Sequence, residues 1–330
     1  MLEHGGRLRA AAQAFDIPLA RWLDLSTGIA PYGFDLPAIP DDAWNRLPDA
    51  DDELEAVARD YYGVSSLLPV PGSQAAIQLL PRLRRTSQVG IVSPCYAEHA
   101  EAWRREGHRL IEFSEGSVPR ALDGLDVLVV VNPNNPTGRF LAAEQLLAWH
   151  ACLAARGGWL VVDEAFIDLS PECSLAAHAH LPGLIVLRSF GKFFAMAGAR
   201  LGFVLAEPEL LAALSKELGP WPIAGPTRYV GASLLADHAG QRRQRERLLA
   251  DTQRLAHLLT ANGLAPVGGC GLFQWVVSDD SERLYESFAR RGILLRRFQY
   301  PPSLRFGLPP DEAGWSRLAD ALAEYREADQ

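Results

Sequence analysis

From about residue 70 onward, short aliphatic runs alternate with longer segments whose apolar residues recur every three or four positions. The short runs, residues 89–92, 127–131, 159–162 and 184–187, read as buried strands. The longer segments, 96–106 and 141–156, read as amphipathic helices. Strand–helix alternation of this kind predicts an α/β domain around a mostly parallel sheet. Ligands of such sheets gather outside the carboxyl ends of the strands. The polar residues Asn132, Asp163 and Ser189 stand at those ends in this chain.

The pattern changes after the Gly/Pro-rich stretch 219–225, which reads as a hinge or domain boundary. A long helix over 231–260 is expected next, then a strand at 273–277, a helix at 281–291, a last strand, a loop and a final helix. These define a small α+β domain. The resulting organisation is an N-terminal arm (1–33) packing on the site with the small domain, a large domain (34–225) and a small C-terminal domain (226–330). A length of 330 residues suits two domains, and 48% hydrophobic residues suffice for real cores.

Charge and cysteine content narrow the function. A net charge of −8 lacks the clustered cations that nucleic-acid phosphates require. The one basic run, Arg242-Arg243-Gln244-Arg245-Glu246-Arg247, carries mixed charge and reads as a solvated helix face. Cys95, Cys152, Cys173 and Cys270 form no CxxC pair and no zinc pattern, so reduced thiols and no metal are expected. No apolar run is long enough to span a membrane, and the first residues make a poor signal peptide. A cytoplasmic protein is expected.

Five clusters carry candidate chemistry. The first is Arg188-Ser189-Phe190-Gly191-Lys192 with Gly198-Ala199-Arg200-Leu201-Gly202. Lys192 follows a buried strand among small and aromatic residues, a setting that suits a Schiff-base amine. Ser189 and Arg200 suit a phosphate; a snorkelling lysine in a plain loop is the alternative. In the second, Asp163 ends a buried strand, where an unpaired carboxylate is unfavourable, so it needs a cationic partner or a turn to cap. The third is the turn Asn132-Pro133-Asn134-Asn135-Pro136-Thr137-Gly138, in which Asn135 offers an amide. The fourth, Pro71-Gly72-Ser73-Gln74-Ala75, opens a helix and is either an anion site or an ordinary cap. Tyr96 nearby is a candidate stacking ring or a core residue. In the fifth, Arg305 of a late strand suits bidentate capture of a carboxylate or a surface ion pair.

Together these motifs, in this order from about residue 20 to 310, resemble the class I/II aminotransferase family of fold-type-I enzymes that use pyridoxal 5′-phosphate (PLP). The resemblance implies an aspartate-aminotransferase-like α/β fold with a mostly parallel seven-stranded sheet. It implies Lys192 as the Schiff-base lysine, Asp163 as partner of the pyridinium nitrogen and Asn135 as a contact of the ring oxygen. Tyr96 would stack on the ring. Gly72, Ser73, Ser189 and Arg200, with Gln74 beside them, would hold the cofactor phosphate. Arg305 would hold the substrate carboxylate, and the enzyme would be a homodimer. Two departures stand out. Phe166 replaces a tyrosine that bonds the ring oxygen, and Leu47 of Arg46-Leu47-Pro48-Asp49 replaces a tyrosine that reaches the neighbouring subunit's phosphate.

Within the family the chain is similar to the histidinol-phosphate aminotransferase branch, which includes decarboxylases of phosphorylated amino acids. The opening Leu2-Glu3-His4-Gly5-Gly6-Arg7 and the segment Asp24-Leu25-Ser26-Thr27-Gly28-Ile29-Ala30-Pro31-Tyr32-Gly33 resemble those decarboxylases. His4, Gly5, Gly6, Thr27 and Gly28 would hold a phosphate monoester, with Asn135 also facing substrate and Arg296 adding a cation. The expectation is PLP-dependent decarboxylation of L-threonine O-3-phosphate, a step of cobalamin biosynthesis. Transamination of histidinol phosphate is the alternative.

Overall fold

The computed structural model describes residues 4–328. They form two compact units. The larger comprises Gly33–Asn135 and Phe140–Arg243; the smaller comprises residues 4–32, Pro136–Arg139 and residues 244–328.

The larger unit is built on seven strands: β2 (Leu68–Val70), β3 (Gln88–Val92), β4 (Arg109–Phe113), β5 (Val127–Val131), β6 (Trp159–Asp163), β7 (Leu184–Ser189) and β8 (Gly202–Leu205). Their order is β2-β8-β7-β6-β5-β3-β4. β8 runs antiparallel to both neighbours and the other pairings are parallel. Every residue of β5 and β7 is buried, as continuous aliphatic strands of a sheet covered on both faces must be. One face packs Val89, Ile91, Val127, Val129, Val161, Ile185 and Leu187 against Trp103, Ile77 and Leu214 of the covering helices. Each such side chain contributes roughly 1.5–3 kcal/mol when fully buried. The outer strand β4 presents Arg109 and Glu112, charges that discourage edge-to-edge pairing.

The smaller unit holds two sheets. β9 (Gly268–Cys270), β10 (Phe273–Val277), β12 (Arg296–Phe298) and β13 (Ser303–Gly307) form an antiparallel sheet ordered β12-β13-β10-β9. β1 (Leu23–Asp24) pairs in parallel with β11 (Ile293–Leu294), so the N-terminal segment is hydrogen-bonded into this unit. Phe288 of the helix Ser281–Arg290 packs edge-on against Phe306 of β13 at 5.8 Å.

The expected helix over 231–260 is two helices, Gly225–Ala236 and His238–Ala261. The break is chemical. The Asp237 carboxylate accepts the Gly240 N–H at 2.8 Å and caps the second helix. The Gln241 amide donates to the last carbonyls of the first helix, Leu234 and Leu235, at 2.9 Å each. The stretch 219–225 connects two helices of the larger unit and is not the expected domain boundary. Residues 226–243 cluster with that unit as well, and the chain leaves it after Arg243, inside a helix.

Candidate active site

The carboxyl ends of β5, β6 and β7 present Asn132, Asp163 and Ser189 in the larger unit. Asp163 is 3% exposed. One oxygen accepts the Ala165 N–H at 3.0 Å and the other lies 2.9 Å from Nε2 of His99, itself 1% exposed. His99 belongs to the helix Glu98–Arg105, three residues after Tyr96. The Tyr96 ring meets His99 edge-on at 6.2 Å, and its hydroxyl donates to Oε1 of Gln74 at 3.0 Å. The Gln74 amide in turn donates to Glu98 at 2.9 Å, so this side chain is committed to holding Tyr96. Burial, then Glu98 and Asp163, pushes the Tyr96 phenol up to about 12, so it stays protonated and can donate.

Asn132 is fully buried and closes its own turn. Its Oδ1 accepts the Leu141 N–H at 2.8 Å and its Nδ2 donates to the Leu141 carbonyl at 3.1 Å. Asn134 donates to the Pro94 carbonyl at 2.8 Å. The loop that presents Asn135 is thus fixed at both sides of that residue.

Gly72, Ser73, Ser189 and Arg200 meet around β8. Ser189 is directly opposite Gly202 in the β7–β8 ladder, and Val70 is opposite Gly202 in the β2–β8 ladder. A Cβ at Gly202 would lie 2.6 Å from the Ser73 nitrogen, and one at Gly72 would lie 2.5 Å from Nη2 of Arg200. Glycines at 72 and 202 therefore let the Ser73 N–H, the Arg200 guanidinium and the Ser189 backbone come close together. Gly72 also has φ of 72°, a left-handed conformation that glycine adopts without strain. Lys192 follows in the turn Phe190–Phe193, half-buried, its amine 6.0 Å from the Phe166 ring centre.

Behind this cluster lies a buried ionic group. Arg188, 2% exposed, donates to Asp168 at 2.6 Å and Ser174 at 3.2 Å, pairs with Glu164 at 3.5 Å, and stacks on the Tyr62 ring at 4.6 Å. Glu164 also accepts from Leu175 N–H at 2.7 Å and from the Ser174 hydroxyl. Burial pushes the Glu164 carboxyl up, although Arg188 and these bonds oppose it. Glu164 and Arg188 are the chain neighbours of Asp163 and Ser189, so the network holds the strand ends that carry both.

The smaller unit gathers the other expected residues. Arg305 of β13 is directly opposite Arg296 of β12, so both lie on one face of the sheet. Arg305 is buried and donates to the Ser26 carbonyl at 2.8 Å. Burial, reinforced by Arg296, pulls its guanidinium down to about 10, still charged at neutral pH. The His4-Gly5-Gly6 segment docks on the same residue: the Gly6 N–H donates to the Ser26 hydroxyl at 2.7 Å. A Cβ at Gly5 would lie 2.4 Å from the Ser26 carbonyl oxygen. Thr27 and Leu25 lay their carbonyls against Gly307, whose Cβ would meet the Thr27 oxygen at 2.6 Å. Gly28, beside Thr27, is buried. His4, Gly5, Arg7, Ser26, Arg296 and Arg297 line a cavity of about 260 Å³.

The expected cofactor residues thus all fall in the larger unit, and the expected substrate residues, Asn135 excepted, all fall in the smaller one. His99 escaped the sequence reading. Tyr96, three residues earlier, precedes the helix that carries His99, and nothing in the sequence linked His99 to Asp163.

A seven-stranded α/β sheet with an aspartate, a lysine and a cluster of serines and an arginine at its strand ends defines the class. The model of the aminotransferase class I and II family matches residues 24–322, and the chain belongs to that family. It is 62% identical over 327 residues to a threonine-phosphate decarboxylase of Pseudomonas aeruginosa, covering 99% of both chains. It is 30% identical to a histidinol-phosphate aminotransferase of Desulfitobacterium hafniense, over 86% of this chain and 84% of that protein. The structure of histidinol-phosphate aminotransferase from Sinorhizobium meliloti in complex with pyridoxal-5′-phosphate superposes with a TM-score of 0.84 at 21% identity. That match covers 100% of this chain and 96% of the other.

Proposed function

We propose that this chain is a PLP-dependent decarboxylase that converts L-threonine O-3-phosphate to (R)-1-amino-2-propanol O-2-phosphate and CO2, a step of cobalamin biosynthesis. The observation that carries this reading is the anion-binding face of the smaller unit. Arg296 and Arg305 stand side by side, and the His4-Gly5-Gly6 segment is docked on Ser26 beside them. Two cations and a ring of backbone and hydroxyl groups match a substrate with a carboxylate and a phosphate. The near-full-length 62% identity to a threonine-phosphate decarboxylase supports the same reading.

The residues of the larger unit fit the cofactor. The cradle around Gly72 and Gly202, with Ser73, Ser189 and Arg200, has the donors that a phosphate dianion needs. Asp163 offers a buried carboxylate to a ring cation, and Lys192 offers an amine for covalent attachment. Bound PLP would supply a conjugated ring that accepts the electron pair left at Cα. The chain supplies everything else. His99 holds the Asp163 carboxylate in one orientation. Asn135 offers its amide to the ring oxygen, a task that Phe166 cannot share. Arg305 grips the carboxylate, while Arg296, His4, Gly5, Gly6, Thr27 and Gly28 hold the phosphate. Two anchors would fix rotation about the substrate's N–Cα bond, and that orientation would decide whether the carboxylate or the hydrogen at Cα is lost. Once the Cα–carboxylate bond has broken and CO2 has left, Lys192 Nζ or water would deliver the proton that takes its place at Cα. Orientation of this kind is worth only a few kcal/mol of differential transition-state binding.

A homodimer belongs to the same reading. Trp44 and Leu47, each 66% exposed, and Trp221, 56% exposed, lie on the larger unit, where Gly225 packs against the Ala43 carbonyl. These are apolar surfaces that a second copy would cover.

The test is product analysis with PLP-loaded protein and L-threonine O-3-phosphate, without a keto acid. The expected result is CO2 and aminopropanol phosphate over many turnovers. Glutamate formed from histidinol phosphate exchange with 2-oxoglutarate, with no CO2 from threonine phosphate, would overturn the reading.

A further inference from the structure

The row of residues that contains Arg296 and Arg305 does not end there. Arg305 is directly opposite Trp275 on β10, and Trp275 is opposite Gly268 on β9. Directly opposed residues share a face of the sheet. Trp275 is therefore the neighbour of Arg305 on the side away from Arg296. It is 9% exposed, and its Nε1 finds no hydrogen-bond partner among the described residues. A buried indole N–H without an acceptor is unfavourable, and native structures rarely leave one. The surroundings offer no side-chain acceptor from Gly268, whose Cβ would sit 3.6 Å from the indole Cε3 and 2.1 Å from the Thr137 carbonyl oxygen. Arg305 itself turns toward Ser26 and the Phe273 ring, 4.9 Å away.

We propose that the Trp275 Nε1–H is a further substrate donor, given to the α-carboxylate that Arg305 holds. The assignment rests on the decarboxylase reading above. An indole N–H only donates, so its partner is an acceptor. Beside a buried guanidinium, that acceptor is an anionic oxygen. With the phosphate placed toward Arg296 and the N-terminal segment, the anion on the Trp275 side of Arg305 is the carboxylate.

The chemistry makes this donor distinguishable from a packing residue. The carboxylate loses its charge as it departs as CO2. A bond to its oxygens thus stabilises the ground state more than the transition state. Trp275→Phe keeps the ring bulk and removes the donor. It should raise KM for L-threonine O-3-phosphate by roughly 10-fold or more while leaving kcat unchanged or higher. Inhibition by aminopropanol phosphate, which lacks the carboxylate, should be unchanged. An unaltered KM, or equal weakening of substrate and product, overturns the proposal.

A second measurement does not depend on the variant folding. The chain has 8 tryptophans, so the indole 1H–15N resonances of the wild-type holoenzyme are few. One should move downfield with saturating substrate and not with product; no movement overturns the assignment. Should the wild type release no CO2, the decarboxylase reading fails. The same titration with L-glutamate, whose α-carboxylate Arg305 would then hold, still decides for or against Trp275.

Discussion

At the scale of single residues, the site depends on groups that fix other groups. His99 never needs to touch substrate. Its hydrogen bond holds Asp163, and the Ala165 N–H holds the second oxygen, so the carboxylate is immobilised before any ligand arrives. Removing the imidazole leaves a buried carboxylate short of one partner. His99→Phe should weaken PLP binding by roughly 10- to 100-fold, the range for losing a bond to a charged group. His99→Gln, which keeps a donor, should recover most of it. Cofactor titration by absorbance checks both; equal loss in the two variants would reduce His99 to a space-filler. The motif containing Asp163 was plain in the sequence, because an acid after a buried aliphatic strand demands a partner. His99 was not, because it comes from another segment 64 residues earlier and only folding brings it within reach.

At the scale of elements, strands were easier to read than helix ends. The strand Val127–Val131 coincides with its aliphatic run because all five residues are buried, leaving no polar alternation to blur it. The helix over 231–260 was misread because a 3.6-residue pattern continues through Asp237. Two local hydrogen-bonding groups, Asp237 and Gln241, end one helix and start another without a proline or a reset of the apolar face. Asp237→Ala should cost about 1 kcal/mol, the usual effect of losing an N-cap. Thermal unfolding would show it as a modest fall in Tm, whereas no change would mean that packing alone imposes the break. The Asn135 loop illustrates the same principle in reverse. Its Asn and Pro residues announce a turn, but the clasp of Asn132 on Leu141 is a contact between the two ends of the loop.

At the scale of the whole molecule, the Arg188 network is the most sensitive point. Glu164, Asp168 and Arg188 share a buried region, two acids against one guanidinium. Arg188→Met removes the only cation of the three and should destabilise by about 3–5 kcal/mol. The sign of its pH dependence is fixed. Glu164 already has a raised pKa in the folded state because of burial, and loss of Arg188, which lowers it, raises it further. The folded state then holds a proton that the unfolded state gives up, so stability falls as pH rises. The deficit of Arg188→Met should therefore be smaller at pH 5 than at pH 8 in urea unfolding; the opposite trend would overturn this role for Glu164. The route of the chain also belongs to this scale. Pro136–Arg139 groups with the smaller unit although it lies inside the sequence of the larger one. No compositional signal marks that excursion, since it is produced by Gly138 packing backbone to backbone on Gly269.

The sequence by itself determined the class of sheet, the family and the chemical identity of the groups at the strand ends. The family rests on the resemblance of the motifs and their order, whereas the sheet and its strand-end groups follow from local rules: aliphatic runs bury, and charged or amide residues at their ends need partners. Tertiary structure alone decided which partner each group receives. His99 on Asp163, Gln74 on Tyr96, the docking of Gly6 on Ser26, and Trp275 beside Arg305 all join residues 20 or more positions apart in the chain. Their pairing depends on strand order and register, which no short segment specifies, because it is set by the burial of the whole apolar face at once.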